Sequence, residues 1–321
     1  MSTAPEVSPF DPAHDAEEWD RLVAGSVNGT FLHSRRYLDY HGDRFVDRSL
    51  VVRAPGMVAV LPAAQDPSDA TRVVSHPGLS YGGLVSDGSV RGSRMVELLG
   101  AVVEHYRSAG YASLRYKAVP RIYFREPADD DLYALFRLGA RLSRRDLSAT
   151  VELAAGIEPR GVRKRNGRLA QRSGAVVVDG TERLPELWQV LTESLARRHG
   201  ATPVHSLAEM ADLLGRFPDR ISVEAVLLDD RVVAGTVHYR TDRVLHLQYT
   251  ATSPEGAKAC ALDLALGAAI ARCAELGLPF YDFGTSTESE GLVLNESLYD
   301  FKTSFGARAT VCDFYDLVLN G

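Results

Sequence analysis

The sequence predicts an α/β (α+β) protein of two similar units in tandem, each a mixed, largely antiparallel sheet flanked by helices. Three observations support this prediction. Apolar runs of strand length alternate with longer stretches that have the periodicity of amphipathic helices. Tight turn signals join neighbouring strands into a hairpin and a meander. One order of elements occurs twice: a hairpin or meander, a long helix, a strand, a helix and a further strand.

The first half carries the weaker copy of this order. Its clearest elements are a β-hairpin whose apolar runs flank Pro55-Gly56 and an amphipathic helix in "RMVELLGAVVEHYRSAGY". A further helix in "DDDLYALFRLG" has the acidic first turn that suits the helix dipole. The remaining predicted elements are a helix from Asp15 to Val23, a helix after an extended start in "FLHSRRYLDY", and strands in "YASLRYKAV" and "LSATVELAA".

The second half carries the stronger copy, centred on an antiparallel meander. Three β-runs in "ISVEAVLLDDRVVAGTVHYRTDRVLHLQYTAT" are joined by tight turns at Asp229-Asp230 and Thr241-Asp242. Two helices precede the meander. The first, "LPELWQVLTESLARRHG", ends at Gly200, which suits a C-cap, and "SLAEMADLLGRF" starts with a capping box of Ser206 and Glu209.

A helix and a strand follow the meander. "AKACALDLALGAAIARCAELG" is almost wholly apolar, so we expect one long buried helix that ends at Gly277. "LPFYDFG" predicts a short buried strand. We place the domain boundary where "LAAGIEP" breaks the pattern. The predicted domains are therefore residues 1–155, a degenerate copy, and residues 156–321.

Composition and charge exclude several classes of protein. The 321 residues are 45% hydrophobic, and a formal charge of −6 with a pI near 5.9 means that any polyanion site must be a local patch. Cys260, Cys273 and Cys312 include no CxxC, which argues against a disulfide framework and a structural zinc site. The N-terminus lacks a secretion signal, and no apolar run approaches the roughly 20 residues that span a bilayer. We expect a soluble cytoplasmic protein.

Motifs for several reaction classes are absent. The sequence contains no GxxxxGK(S/T), no GxGxxG after a strand, no HExxH and no GxSxG. Phosphoryl transfer, hydride transfer, metal hydrolysis and serine hydrolysis therefore lack support. His238 and His246 lie in neighbouring predicted strands, as packed histidines or as a metal or general-base site. Transfer of an activated acyl group to an amine remains, because it needs mainly positioning and a polarised carbonyl.

A basic segment, "PRGVRKRNGRLAQRSG", opens the second half. Arg160, Lys164, Arg168 and Arg172 follow at four-residue spacing and form one cationic stripe if the segment is helical. Such a stripe is either a solvated helix face or a site for phosphate or nucleic acid. Within it, the guanidinium groups of Arg163 and Arg165 suit bidentate contacts to a diphosphate.

The stretch "YDFGTSTESEGLVLNESLYDFKTSFGA" is the least generic part of the chain. Its strand is expected to bring Asp282 to the end of the sheet, where ligand crevices form. Gly284 lets the backbone turn away, and Asn295 suits the N-cap of a following helix. In that helix Leu298, Phe301 and Phe305 are expected to face the core, with Lys302 at the edge of the apolar stripe.

These segments resemble the GNAT acetyltransferase fold, and more narrowly its Fem-type branch, which has two such domains in one chain. "RKRNGRLAQRSGAVVV" is similar to the Fem-type R-x-x-I-R-x-A-x-x-x-G-V segment, and "LYDFKTSFG" to the C-terminal F-K-x-x-F-G motif. "NGTFLHSRRYLDYHGDRF" looks like the N-terminal segment of the same proteins. The resemblance covers nearly the whole chain, and the F-K-x-x-F-G motif is its most specific part.

The resemblance implies that Lys302 and the Arg163/Arg165 segment hold an acceptor or donor phosphate and stabilise the transition-state charge. Lys302 and Asp282 are the predicted catalytic residues, and no acid or histidine maps onto a general base. Substrate-assisted deprotonation or a water relay would replace that base. No metal is expected. The predicted substrate-binding residues are Arg163, Arg165, Tyr249, Thr285, Ser286, Glu288, Asn295 and Phe301.

The resemblance also implies an acyltransferase that forms an amide on an amine of a small molecule, a sugar or a peptide. Fem-type proteins take an aminoacyl group from aminoacyl-tRNA, whereas single-domain GNAT proteins use acetyl-CoA held by a Q/R-x-x-G-x-G/A loop. Here the loop reads "TATSPEGAKACALDL", with Gly256 and Ala257 but no Arg or Gln and no second glycine. Acyl-CoA, aminoacyl-tRNA or an acyl-carrier thioester therefore all stay open as co-substrate, and no cofactor is expected to be bound permanently. The alternative is a non-catalytic pair of degenerate domains that binds a nucleotide-linked ligand or a partner.

Overall fold

The computed structural model describes residues 5–320, except for the side chains of Arg198 and His199. Within these residues the chain forms two compact units. The first comprises residues 5–147, 288–293 and 311–320, and the second comprises residues 148–287 and 294–310. Each unit therefore contains segments that are distant in the sequence. The division into functional domains at residues 155 and 156 remains a prediction.

The first unit contains two groups of strands. The antiparallel set β1-β2-β3-β6 contains the predicted hairpin, in which β2 pairs with β3. In the other group β4 pairs with β5, β5 runs parallel to β7, and β7 pairs with the C-terminal strand β16. The elements are β1 (Glu6–Pro9), α1 (Ala16–Gly25), α2 (Arg35–Leu38), β2 (Leu50–Arg53), β3 (Met57–Leu61), β4 (Ala64–Asp66), β5 (Asp69–Val74), β6 (Val85–Ser86), α3 (Ser93–Ser108), β7 (Ser113–Lys117), α4 (Asp130–Arg137) and most of β16 (Arg308–Val318).

The core of the first unit is apolar and continuous. Helix α3 contributes the predicted side chains at helical spacing, including Leu98, Leu99 and Val102. They pack with strand residues such as Leu114 and with Ala134 and Leu135 of α4. The amphipathic pattern of the sequence therefore locates this helix face correctly.

The second unit is one sheet with helices packed on it. Its strand order is β8-β13-β12-β11-β10-β9, antiparallel throughout except for β12 and β13, which run parallel. The predicted meander, β10-β11-β12, is confirmed. The elements are the end of β8 (Arg141–Glu152), α5 (Gly161–Arg172), β9 (Val176–Asp179), α6 (Leu184–His199), α7 (Leu207–Arg216), β10 (Ile221–Leu228), β11 (Arg231–Arg240), β12 (Val244–Thr252), α8 (Pro254–Lys258), α9 (Ala261–Glu275), β13 (Phe280–Thr285) and α10 (Glu296–Thr303); the short strands β14 (Thr287–Glu288) and β15 (Val293–Leu294) lie between β13 and α10.

Local signals place several helix ends correctly. Gly200 follows α6 in the left-handed conformation, with φ of 59°. Ser206 and Glu209 form the predicted capping box of α7: the Ser206 hydroxyl accepts the Glu209 N–H at 3.2 Å, and the Glu209 carboxylate accepts the Ser206 N–H at 2.7 Å. These contacts join residues only three positions apart, which is why the sequence reveals them.

The prediction of one long buried helix after the meander is wrong in two respects. The chain breaks at Cys260, which has φ of 57° and separates α8 from α9. Helix α9 also leaves part of its surface exposed, at Gly267, Ala271 and Ala274, while Leu264, Leu266 and Cys273 are buried. Its exposed apolar positions are mostly alanine and glycine, which lose little free energy when water reaches them. Composition alone therefore overstated the burial of this helix.

Two further observations concern the described residues as a whole. Among residues 5–320, none of the helices has the length and hydropathy needed to cross a bilayer. Over the same range, the His, Cys, Asp and Glu side chains form no group of three or more that could hold a metal ion.

Candidate active site

The sheet of the second unit opens between its two parallel strands. Strands β12 and β13 pair only over Val244–His246 and Phe280–Asp282. Beyond this point β12 continues to Thr252, while β13 reaches Gly284, whose φ of 76° lies in the region that favours glycine. The pairing of β13 with β8 also shifts register between Asp282 and Thr285. The parallel pairing therefore ends at His246 and Asp282.

A β-bulge in β12 lies next to this opening. Leu247 pairs with His238 and Tyr249 pairs with Val237, so Gln248 has no opposing residue on β11. His246 pairs with Tyr239, two residues from Val237 on β11. The bulge therefore places His246 and Tyr249 on the same face of the sheet, about 7 Å apart along the strand. Without it, residues three apart would point to opposite faces.

Asp282 is a buried carboxylate with hydrogen-bond donors on both oxygens. Nδ1 of His246 donates to Oδ2 at 2.8 Å, while the hydroxyls of Ser148 and Thr150 donate to Oδ1 at 2.6 and 3.1 Å. Burial acts to raise the pKa of Asp282, but the hydrogen bonds from His246 and Ser148 outweigh it and lower the pKa below its ordinary value. Asp282 lies inside the sheet, between β12 and β8, and not at its end as the sequence predicted.

His246 is the residue whose role the sequence left open. Because its Nδ1 proton is donated to an ionised carboxylate, the neutral imidazole carries its lone pair on Nε2. This arrangement of a histidine oriented by a buried acid suits a general base. The only signal in the sequence was its position in a strand next to that of His238. Its partner, Asp282, is 36 residues away and is identified only by the parallel pairing.

Lys302 lies in the same cluster, as an ammonium group bound to the end of β13. Its side chain is buried, and Nζ donates to the carbonyls of Gly284 at 2.9 Å and Thr285 at 2.6 Å. Burial lowers the pKa of Lys302 to about 8, against an opposing effect of the Asp282 charge. A Cβ on Gly284 would lie 3.5 Å from Cε1 of His246. Both predicted catalytic residues therefore lie around His246.

The polar residues after β13 contribute mainly backbone groups. The Ser286 carbonyl accepts the N–H of Asn295 at 2.9 Å, and Asn295 in turn caps α10 by accepting the Leu298 N–H at 3.0 Å. The Ser286 hydroxyl is buried and has no hydrogen-bond partner among the described residues. Glu288 is exposed and belongs to the first unit.

The predicted apolar stripe of α10 is only partly correct. Phe305 is buried and Phe301 is half-buried, but Leu298 is 39% exposed and Lys302 is the buried residue of the helix. The two backbone carbonyls of β13 compensate for the burial of the ammonium group. The prediction from side-chain polarity therefore chose the wrong inward face of α10, because the sequence does not show that backbone carbonyls of β13 accept hydrogen bonds from Lys302.

The contacts of the Arg163 side chain are with residues of α9, of α10 and of the segment that follows α10. Its Nε donates to the Ser304 hydroxyl at 2.6 Å, its Nη1 donates to Asp263 at 3.0 Å, and its guanidinium lies 4.5 Å from the ring centre of Phe301. Arg165, by contrast, is exposed. Three arginines on α5 have no ion pair or hydrogen bond with the described residues: Arg165, Arg168 and Arg172. We refer to these three as the α5 basic face.

Tyr249 lies on β12 but contacts the helical side of the unit. Its hydroxyl is 2.5 Å from Nδ1 of His205, in the segment between α6 and α7. Its ring meets that of Trp188 edge-on at 5.2 Å. Burial raises the pKa of Tyr249 above its ordinary value of 10.0. His205 was not among the residues predicted from the sequence.

The loop that corresponds to the CoA loop uses its own hydrogen-bond donors. The Ser253 hydroxyl accepts the N–H of Gly256 at 3.0 Å, and the N–H of Ala257 donates to the Ser253 carbonyl. A Cβ on Gly256 would lie 2.2 Å from the Val233 carbonyl oxygen, so this glycine is required for close packing. The first turn of α9 carries Asp263, whose carboxylate is paired with Arg163.

Comparison with known proteins agrees with this architecture. Residues 160–302 match the family model described as an acetyltransferase (GNAT) domain, and no curated protein sequence matches the chain. Among solved structures, FemX is 14% identical, with a TM-score of 0.70 over 98% of both chains. L-PGS from Bacillus licheniformis is 15% identical, with a TM-score of 0.62 over 98% of this chain and 94% of its own. A tandem GNAT protein from the clavulanic acid biosynthesis pathway is 14% identical, with a TM-score of 0.55 over 99% of both chains.

The fold and the family match together define a class: residues 160–302 are similar to a GNAT acetyltransferase domain within a chain of tandem GNAT fold. The chain as a whole has the tandem GNAT fold of the Fem-type branch, so the predicted fold class and the predicted resemblance are both confirmed. At these identities the structural likeness concerns the fold. The family match in addition supports acyl transfer as the general activity.

Proposed function

We propose that the protein is an acyltransferase that forms an amide between an activated acyl or aminoacyl group and an amine of a small molecule, a sugar or a peptide. The observation that carries the proposal is the His246–Asp282 pair at the point where β12 and β13 separate. It supplies a proton acceptor of fixed tautomer beside an opening in the sheet. The GNAT match at residues 160–302 supports the same class of reaction.

In the proposed reaction, the amine nitrogen attacks the acyl carbonyl carbon and forms the C–N bond. The amine proton passes to Nε2 of His246, and the buried carboxylate of Asp282 stabilises the imidazolium that results. The tetrahedral intermediate then expels its leaving oxygen or sulfur with the electron pair of the broken bond. A positioned base of this kind typically contributes about 10²–10⁴-fold to the rate.

Lys302 has an organising role in this proposal. Two of its three N–H donors are directed to Gly284 and Thr285, so the ammonium group holds the end of β13 beside His246. Its positive charge near Asp282 also favours the ionised carboxylate. The proposed substrate-binding role of Thr285, Ser286, Asn295 and Glu288 is secondary to this framework.

For the donor, the proposal favours an acyl group carried by a polyanion over acyl-CoA. In the Ser253–Lys258 segment the N–H groups of Gly256 and Ala257 already donate to the hydroxyl and the carbonyl of Ser253. A diphosphate would therefore find few donors there. The α5 basic face, with three arginines that have no acidic partner, suits a long phosphate backbone such as that of aminoacyl-tRNA. An acyl-carrier thioester is the remaining donor class.

The proposal is tested by incubating the full chain with acetyl-CoA, charged tRNA or an acyl-carrier thioester, each with a panel of amines. Mass spectrometry of the products should reveal an amide with at least one donor, and His246→Gln should remove most of it. If no donor yields an amide while the wild-type chain is folded, the acyltransferase proposal is wrong.

A second candidate function is a non-catalytic module that binds a nucleotide-linked ligand. One observation favours it: Lys302 donates two hydrogen bonds to backbone carbonyls. A lysine with a purely structural role would make the same contacts. Saturable binding of a nucleotide-sugar that persists in His246→Gln, together with no transfer from any donor, would support this alternative.

A further inference from the structure

A groove of about 370 Å³ lies between helices α5 and α9, within the second unit. This volume falls in the range of small-molecule sites, which is about 300–1,000 Å³. Lys164, Arg168 and Gln171 line its α5 side and lie on one face of that helix, because they are four and then three residues apart. The helix axis rises by about 10 Å from the first to the last of them. The groove therefore has the length to hold an extended chain.

The other side of the groove is apolar. Leu264 and Phe305 are buried there, and Ile270 is half-buried. Gly267 is exposed, and an added Cβ at this position would have no atom within 4 Å, so the groove is open beside it. An aliphatic chain lying along these residues would remove its own apolar surface, and theirs, from water.

The charged side chains of the groove leave one positive charge without an acidic partner. Arg163 is paired with Asp263 at 3.0 Å, and Lys164 forms an ion pair with Glu158. Arg168 is exposed and makes no ion pair or hydrogen bond within residues 5–320. A guanidinium group binds a carboxylate through two parallel N–H···O bonds. A ligand with one carboxylate therefore balances the charge of the groove.

We propose that this groove binds an aliphatic carboxylate, with the carboxylate at Arg168 and the chain along Leu264, Gly267 and Ile270. The ion pair of Lys164 with Glu158 is solvent-exposed and therefore weak, so the Lys164 ammonium group can turn toward the bound carboxylate. The chain and the charge are both needed for recognition, because either one alone contacts only one side of the groove. The inference goes beyond the proposed function and does not rest on it.

The first test compares ligands on the full chain by isothermal titration calorimetry at neutral pH. Octanoate should bind saturably, with one molecule per chain. Acetate and inorganic phosphate lack the chain, octan-1-ol lacks the charge, and octylammonium reverses it. Each of them should therefore bind at least about tenfold more weakly than octanoate. If octanoate shows no saturable binding, or if any of the other ligands binds as tightly as octanoate, the inference is wrong.

The second test locates the bound octanoate with matched variants. Arg168→Gln removes the charge that pairs with the carboxylate and should weaken binding by about tenfold. Arg165→Gln changes an exposed arginine of α5 outside the groove and should bind octanoate like wild type. Gly267→Leu fills the groove and should weaken binding by about tenfold or more, whereas Ala271→Leu, at an exposed position of α9 outside the groove, should not.

The outcomes of this test are independent of acyl transfer. Arg168 and Gly267 are both exposed, so their variants should keep the fold, which circular dichroism checks. Wild-type affinity for octanoate in Arg168→Gln or in Gly267→Leu overturns the inference. His246→Gln, which tests the proposed function, should bind octanoate like wild type. Loss of octanoate binding in His246→Gln would place the ligand at the His246 cluster and would also overturn the inference.

Discussion

Nζ of Lys302 lies 2.9 Å from the carbonyl oxygen of Gly284, so a buried ammonium group holds the strand residue that lies beside the His246 ring. The contact links the helix α10 to the end of β13. It explains how a lysine between two phenylalanines is accommodated inside the unit. The stability of the folded chain therefore depends on whether Lys302 is protonated.

Stability should depend on pH through Lys302. Burial lowers its pKa in the folded chain to about 8, whereas an unfolded lysine keeps its proton to about 10.4. Between these values the unfolded chain binds more protons, so the free energy of unfolding attributable to Lys302 rises with pH, by on the order of 3 kcal/mol. Denaturant unfolding of wild type and Lys302→Met from pH 7 to 10.5 measures the difference. The exposed Lys258→Met is the control and should keep the rise, and equal slopes in wild type and Lys302→Met contradict the prediction.

Loss of the proton acceptor should reduce turnover while the fold is retained. Gln at position 246 can still donate an N–H to Asp282 but cannot take a proton, so His246→Gln should lower kcat by about 10²–10⁴-fold. Circular dichroism should show an unchanged fold. The exposed His14→Gln serves as the control and should keep wild-type turnover. A rate within twofold of wild type in His246→Gln contradicts the assignment of the base.

The two arginines predicted as a phosphate clamp should behave differently from each other. Arg163→Ala removes the charged donor to the Asp263 carboxylate and the donor to the Ser304 hydroxyl oxygen, and it should lower the free energy of unfolding by about 1–3 kcal/mol. Arg165→Ala removes no contact and should change it by less than about 0.5 kcal/mol. Urea unfolding of both variants checks this contrast, and equal losses would contradict it.

The α5 basic face should determine the salt dependence of polyanion binding. If two of its arginines contact phosphates, the double variant Arg165→Ala/Arg168→Ala should lower the slope of log K against log salt by about 1.4–1.8. Titration of the full chain with uncharged tRNA at several salt concentrations measures the slope. An unchanged slope in the double variant would exclude this face as the tRNA contact.

Substitution of Gly267 and of Gly256 by alanine should change the free energy of unfolding in opposite directions. Gly267 lies in the exposed side of α9 with nothing within 4 Å of an added Cβ, so Gly267→Ala should raise the free energy of unfolding by about 0.5–1 kcal/mol. Gly256→Ala would put its Cβ 2.2 Å from the Val233 carbonyl oxygen and should destabilise the second unit strongly. Thermal unfolding of both variants measures the two effects. A gain in stability in Gly256→Ala would contradict the close packing of Gly256 against β11.

The elements that the sequence predicted well depend on contacts between near neighbours. The capping box at Ser206, the left-handed Gly200 and the meander turns all follow from residues within a few positions of one another. The break at Cys260 was missed because a left-handed conformation at a cysteine has no local signal. The exposure of Leu298 was missed because the sequence does not show which side of α10 receives carbonyl groups from β13.

By itself, the sequence determined the order of most helices and strands and the tandem α/β class, because hydrophobic periodicity and turn chemistry are local properties. Only the tertiary structure decided which side chains meet. The parallel pairing of β12 with β13 joins His246 to Asp282, and the single extra residue at Gln248 turns Tyr249 toward the same face as His246. A shift of one residue in register reverses the direction of a side chain, and the pairing partner that sets the register is distant in the chain.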